Sequence, residues 1–339
     1  MENTLQKPPS LRIAVTEKCN LKCLYCPKSG DSYSLVGKTL GLEDFKKIVK
    51  AAYEEGIKFF SITGGEPLIV PEITFPLVKY IKSLGNDDGY LRLNTNGVLI
   101  EKYIEEIGRA DFDKVKVSID TFDIENYCFI SGNPLRDNLE KAIRGISEIK
   151  KFTEVRVHSV IGKYNIKEIN EIINLCIKNG LDLKLFDIMN FPNKNVQDRE
   201  FWQKNYVALG EIAQYLEKTF GKPKIINSPG GYGQPKKVFT TPGGTKIRVQ
   251  DTEADAHYSD ICRKCSEYMC QQGLCNLTLS ADGRLKICHP IDQDLGLSLV
   301  KGEKLKSEVE MKVALKKPLI FLLIQRQFIV VFLNLVVTK

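Results

Sequence analysis

Between residue 11 and about residue 190, short apolar runs alternate with stretches whose apolar positions recur every three or four residues. The first pattern suits strands and the second amphipathic helices. Strands are predicted at Leu11–Thr16, Phe59–Thr63, Tyr90–Leu93, Val115–Ile119, Val155–Ile161 and Leu181–Ile188. Helices are predicted at Leu42–Glu55, Ile73–Leu84, around Ile100–Ile107 and at Leu139–Ile149. The first carries Phe45, Ile48, Val49 and Ala52 on one face and stops at Gly56, and the second ends at Gly85. Asn165 with Glu168 three residues on resembles a capping box, opening a helix to Asn179 that closes at Gly180. Such strand–helix units in series predict an α/β fold with a parallel sheet and right-handed crossovers.

The pattern weakens after residue 190. Phe201–Phe220, with Val207, Ile212 and Leu216, reads as one amphipathic helix. Glycine and proline then crowd 223–244, a loop-rich linker into a small domain. Asp282-Gly283, between Leu277 and Leu279 on one side and Leu285 and Ile287 on the other, predicts a hairpin. From Pro318 to Lys339 the chain turns abruptly apolar and approaches the length of a bilayer span. Gln325, Arg326 and Gln327 interrupt its middle, so a pairing strand or an aberrant end is expected rather than a membrane span.

The first strand runs into Cys19, Cys23 and Cys26, spaced Cys-x3-Cys-x2-Cys. Thiolates are soft ligands for zinc or an iron–sulfur cluster. A four-iron cube needs four ligands and this loop offers three, which leaves one iron open for catalysis. Zinc would need a fourth ligand nearby, and no Cys or His follows until Cys128.

In parallel barrels the chemistry collects at the C-terminal ends of the strands. Here the second strand ends in Thr63-Gly64-Gly65-Glu66-Pro67, the third in Asn94-Thr95-Asn96-Gly97 and the fourth in Ser118-Ile119-Asp120. Paired glycines let backbone groups approach a ligand closely, and Glu66 can accept from an ammonium group. The other two stretches offer hydroxyl and amide groups suited to a carboxylate or a ribose. Each alone is a capped turn; in order, at successive strand ends, they make a site.

The cysteine spacing, with Tyr25 just before the third cysteine, resembles the radical S-adenosylmethionine (AdoMet) superfamily. The resemblance implies a partial (β/α)6 TIM-like barrel with a [4Fe-4S] cluster on Cys19, Cys23 and Cys26. It implies that AdoMet chelates the open iron and that Gly64, Gly65 and Glu66 hold its amino group. One electron would then cleave AdoMet to a 5'-deoxyadenosyl radical, which abstracts hydrogen from an organic substrate.

Leu11–Thr16, Ser118–Asp120 and Leu183–Met189 are similar to one branch, the GTP 3',8-cyclases of molybdenum cofactor biosynthesis. Position by position, that likeness implies AdoMet contacts at Tyr25, Gly65, Asn96, Ser118 and Met189. It implies GTP contacts at Arg12, at Asn94, where the branch has a threonine, and at Arg156, where it has a triphosphate-binding lysine. Ser61 replaces a basic GTP contact, and Cys275–Ser280 lacks two arginines of the branch. A charge-assisted hydrogen bond is worth about 1.5–3 kcal/mol, so these replacements weaken triphosphate binding unless other cations compensate.

A second cysteine group follows: Cys262, Cys265, Cys270, Cys275 and Cys288. A closed four-thiolate zinc site competes here with a second iron–sulfur cluster, and the company of the first motif favours iron. Cys262, Cys265 and Cys288 are the expected ligands, with Cys270 and Cys275 as further candidates. The extra cysteines resemble the auxiliary modules of peptide-modifying radical AdoMet enzymes.

The formal charge of +7 over 339 residues suits anionic substrates. No basic arm or nucleic-acid module is present, which argues against a dedicated nucleic-acid binder. Ten unevenly placed cysteines do not form a disulfide framework, and residues 1–10 lack the features of a signal peptide. A reducing cytoplasm is the expected compartment. Cys128 and Cys176 are read as packing residues.

The sequence therefore predicts a barrel over 9–222, an auxiliary-cluster domain over 223–300 and an atypical apolar tail over 301–339. It predicts a GTP 3',8-cyclase-like lyase acting on a small molecule and reduced by a donor such as flavodoxin or ferredoxin. The rival readings are a peptide-modifying radical AdoMet enzyme and a non-catalytic iron–sulfur or zinc protein.

Overall fold

The computed structural model of the chain describes residues 10–26, 39–85, 89–190, 196–226, 235–251, 276–286, 298–301 and 304–325. Strands β1 (Ser10–Ala14), β2 (Phe59–Thr63), β3 (Tyr90–Thr95), β4 (Lys114–Ser118), β5 (Val155–Ile161) and β6 (Asp182–Asp187) pair in sequence order, all parallel. Helices α1 (Leu42–Glu54), α2 (Pro71–Ser83), α3 (Ile104–Ala110), α4 (Ile124–Ser131), α5 (Asp137–Ile149) and α6 (Ile169–Lys178) lie in the connections. This is the α/β, mostly parallel architecture the alternating pattern predicts.

The strand period explains the layering. Leu11 and Ile13, Leu91 and Leu93, and Val115 and Val117 alternate with polar residues and are fully or almost fully buried. They join one apolar core with Phe45, Ile48 and Val49 of α1 and Ala142 and Ile146 of α5. The intervening positions of each strand face the other way, onto the concave side.

The described residues of 223–300 contribute the flanks of the same sheet. β7 (Lys224–Ile226), β8 (Lys236–Thr240) and β9 (Lys246–Gln250) extend it beyond β6, with β9 parallel to β6. β10 (Asn276–Leu279) lies parallel to β1 and turns back into β11 (Leu285–Lys286), the hairpin expected at Asp282-Gly283. A short ribbon of β12 (Val300–Lys301) and β13 (Lys304–Leu305) follows.

Three local expectations need correction, and one helix is not anticipated by the sequence pattern. Asn165 and Glu168 do not form a capping box, and α6 starts only at Ile169. Asn165 instead accepts from the Gly162 N–H and donates to the carbonyls of Asp120 and Val160, while Glu168 accepts from Thr121 and Asn126. Phe201–Phe220 is two helices, α7 (Val196–Asn205) and α8 (Gly210–Phe220). The break is held where the Leu209 N–H donates to Asp251. Helix α4 has weak amphipathicity and escapes the periodicity, although Asp123 caps it and Gly132 closes it with a φ of 59°. The apolar end begins as helix α9 (Glu308–Gln325), so Pro318–Gln325 is helical rather than extended. Among the described residues no helix is long and apolar enough to cross a membrane.

Candidate functional site

The paired glycines serve the cysteine loop itself. The Gly65 N–H donates to the Thr16 carbonyl at 2.8 Å, and the Glu66 N–H donates to Lys18 at 2.9 Å. A Cβ on Gly65 would lie 2.2 Å from the Lys18 carbonyl oxygen, and one on Gly64 would lie 2.3 Å from that of Thr16. Only glycine lets the end of β2 run backbone against backbone with Thr16–Lys18, the segment that delivers Cys19.

Glu66 ties this junction to the end of β3. Its side chain is fully buried and accepts from the Leu68 N–H, the Thr95 hydroxyl and the Asn96 N–H at 3.0, 2.8 and 2.7 Å. Three of about four acceptor positions on a carboxylate are thus used. Burial pushes its pKa up to about 7, against the pull of those hydrogen bonds. Asn96 then reaches back: its amide donates to Asn20 at 2.7 Å and toward the Cys19 sulfur at 3.7 Å.

The loop is clamped from its other side by α4. The Lys22 and Leu24 N–H groups donate to the Ser131 and Ile130 carbonyls, and Asn133 donates to Asn20. Tyr25, beside the third cysteine, donates its hydroxyl to Asp120 at 2.6 Å and stacks on Tyr164. Asp120 also accepts from the Val160 N–H at 2.7 Å, and burial raises its pKa to about 6. Burial, then the nearby Asp120, holds the Cys23 thiol well above its ordinary range. Deprotonation there awaits a metal, whose charge reverses that balance.

None of Cys19, Cys23 and Cys26 is in a disulfide. Among the described residues no three Cys, His, Asp or Glu side chains converge on one point, as ligands of a single ion would. A cube seats each cysteine on a different iron, so three spaced thiols suit a cluster. Ser118 ends β4 and is exposed, and Met189 is half-buried just past β6. Cys262, Cys265, Cys270, Cys275 and Cys288 lie outside the described residues.

The concave face of the sheet is cationic. Arg12, Arg92, Lys116, Arg156 and Lys184 stand at inward positions of β1, β3, β4, β5 and β6. Burial and then neighbouring cations push Lys116 and Lys184 well below the ordinary lysine range. His158, fixed beside Lys184 in register, is pushed down by the same causes and is neutral near pH 7. Sequence reasoning finds Arg156 here but passes over Arg92, Lys116 and His158. Their signal is present all the same, because each is a polar residue at an alternate position of an otherwise apolar strand. The bonds that Asp120 and Asn20 make escape for another reason, since their partners lie 95 and 76 residues away.

The radical SAM superfamily matches residues 13–201. A protein of Methanococcus aeolicus described as a probable GTP 3',8-cyclase is 34% identical over 292 residues, 84% of this chain and 87% of that protein. A GTP 3',8-cyclase of Peptoclostridium acidaminophilum is 28% identical over 322 residues, 88% of this chain and 86% of that protein. The fold resembles a solved structure of native anSMEcpe with bound AdoMet and Cp18Cys peptide: TM-score 0.51 at 16% identity, covering 95% of this chain and 100% of that one. The chain belongs to the radical SAM superfamily, enzymes that work with a [4Fe-4S] cluster and AdoMet.

Proposed function

We propose that this enzyme acts on a nucleoside triphosphate as a GTP 3',8-cyclase-like lyase. The supporting observation is the concave face, where cations from β1, β3, β4, β5 and β6 gather. Buried like charges repel unless an anion joins them, and a triphosphate would supply several negative charges at once.

Cys19, Cys23 and Cys26 would hold the cluster. When bound, the cluster and AdoMet together supply the radical that removes hydrogen from the substrate. Tyr25, Gly64, Gly65, Ser118 and Met189 would border AdoMet. Glu66 and Asn96 would act in two ways, offering polar atoms to the cofactor and fixing the loop that bears Cys19. Arg12, Asn94 and Arg156 would face the substrate.

Cys262, Cys265 and Cys288, with Cys270 or Cys275, would hold a second cluster in an auxiliary module over 223–300. A cytoplasmic donor such as flavodoxin or ferredoxin would supply the electron.

The test is hydrogen transfer. GTP deuterated at the ribose 3' carbon, given to reduced and reconstituted enzyme, should place the label in 5'-deoxyadenosine, and Cys23→Ala should release none. AdoMet cleavage without transfer from GTP would overturn the substrate and favour a peptide.

A further inference from the structure

Two neutral residues on β2 and β3 are coupled in space. Asn94 donates its side-chain amide to the Ser61 hydroxyl at 2.8 Å and to the Ile62 carbonyl at 3.1 Å. Ser61 and Asn94 thus form one neutral hydrogen-bonded pair on β2 and β3. Ser61 is in register with Arg92 on β3, and Asn94 with Lys116 on β4. The two neutral residues therefore each have a cation as their next neighbour along the sheet. On the opposite flank, Arg12 is in register with Thr278 of β10.

Two groups of cations line the concave face. Arg156 and Arg248 are neutralised by carboxylates. Arg248 pairs with Asp182 at 2.8 Å, and Arg156 lies 3.2 Å from Glu154 and 3.9 Å from Asp182. Arg92, Lys116 and Lys184 differ. Among the described residues no carboxylate lies within ion-pair distance of them, and the charges acting on Lys116 are those of Arg92, Arg12, Arg156 and Lys236. Lys184 rests 4.0 Å from the Phe186 ring centre, and the Nε atoms of Arg92 and Arg156 and Nε2 of His158 are buried without a hydrogen-bond partner. Lys116 and His158 nevertheless keep part of their surface accessible. Enclosed cations with no counter-ion among the described residues form a site prepared for an anion.

We infer that Arg92, Lys116 and Lys184, on β3, β4 and β6, form the polyphosphate subsite of this enzyme. This rests on the proposed nucleoside triphosphate substrate and adds where its charge is held. Arg92 and Lys116 become the residues that set affinity for the phosphates. Ser61 and Thr278 border the subsite without charge, and His158 offers a neutral imidazole beside Lys184.

Anaerobic equilibrium dialysis of the full reconstituted chain tests this with three probes: GTP, guanosine and inorganic tripolyphosphate. Lys116→Met and Arg92→Met should each weaken GTP and tripolyphosphate by at least tenfold and guanosine by less than twofold. Lys116→Arg should restore most of the affinity. Lys79→Met, a change at an exposed lysine, should alter GTP affinity by less than twofold. GTP affinity that is unchanged in Lys116→Met and Arg92→Met would overturn the inference. So would an equal weakening of guanosine, which would mark general disruption. If the native protein binds tripolyphosphate through Lys116 but does not bind GTP, the subsite stands and the GTP reading falls. If it binds neither, both fall.

Discussion

The Tyr25 hydroxyl lies 2.6 Å from the Asp120 carboxylate, joining the residue before the third cysteine to the end of the fourth strand. Asp120 holds the Val160 N–H with its other oxygen, so one side chain fastens the cysteine loop to two strand ends. Asp120→Ala would leave the Val160 N–H unsatisfied, at about 1–3 kcal/mol, and release Tyr25. Iron retained after desalting should fall several-fold, with Asp120→Asn intermediate. Native iron content in Asp120→Ala would refute this anchoring role.

Glu66 makes stability depend on pH. Its folded pKa of about 7 lies above the ordinary value of 4.5, because burial disfavours the charge. The folded state therefore binds a proton more tightly than the unfolded state does. Its penalty is fully present above pH 7, is relieved as pH falls through 7, and is fully relieved below 4.5. The size is of order 3 kcal/mol. Thermal unfolding of the metal-free protein should show a rising midpoint between pH 8 and 6, and Glu66→Gln should flatten that rise. A rise of equal size in Glu66→Gln would assign it to other groups.

Much of the barrel is legible because its strands bury one face. Leu91, Leu93, Val115 and Val117 announce themselves by alternation, and the glycines after α1, α2 and α6 mark where those helices stop. The cysteine loop is legible as chemistry, because three thiols at one strand end have few other uses. What holds that loop is not legible. Gly64 and Gly65 look like ligand-facing residues, yet their first neighbours are Thr16 and Lys18, a relation made only when β1 pairs with β2. Asn165 and Glu168 spell a local cap but bond across the sheet end, where Asp120 and Asn126 compete for them. Local grammar fails where tertiary partners are stronger.

Gly65 provides a sharp test of that relation. Gly65→Ala forces a methyl group within 2.2 Å of the Lys18 carbonyl oxygen and 2.6 Å of that of Glu17. Both obstacles are backbone, so the loop itself must move, at a cost of about 1–3 kcal/mol or more. The variant should keep its far-ultraviolet circular dichroism and lose most of its iron-dependent 5'-deoxyadenosine release. Full activity would mean that the loop tolerates displacement.

Iron stoichiometry separates one cluster from two. If Cys262, Cys265 and Cys288 help bind a second cube, reconstitution should give about twice the iron of a single cube. Cys262→Ala/Cys265→Ala should halve that count while the first cluster's absorbance remains. A native count matching one cube, with zinc bound, would overturn the second cluster.

The Ser61–Asn94 pair permits a reciprocal experiment. Ser61→Lys returns a cation to a position in register with both Arg12 and Arg92. Like charges directly opposite on neighbouring strands destabilise by up to about 1 kcal/mol, and the substitution also removes the hydroxyl that Asn94 bonds. Ser61→Lys should therefore unfold at a lower temperature than the native protein in buffer. Adding tripolyphosphate should raise its midpoint by more than it raises the native one, because the anion relieves a larger repulsion. In Ser61→Lys/Arg92→Gln the buffer midpoint should recover. If Ser61→Lys costs no stability and gains none from the anion, then Arg92 and position 61 do not share one charge-bearing role.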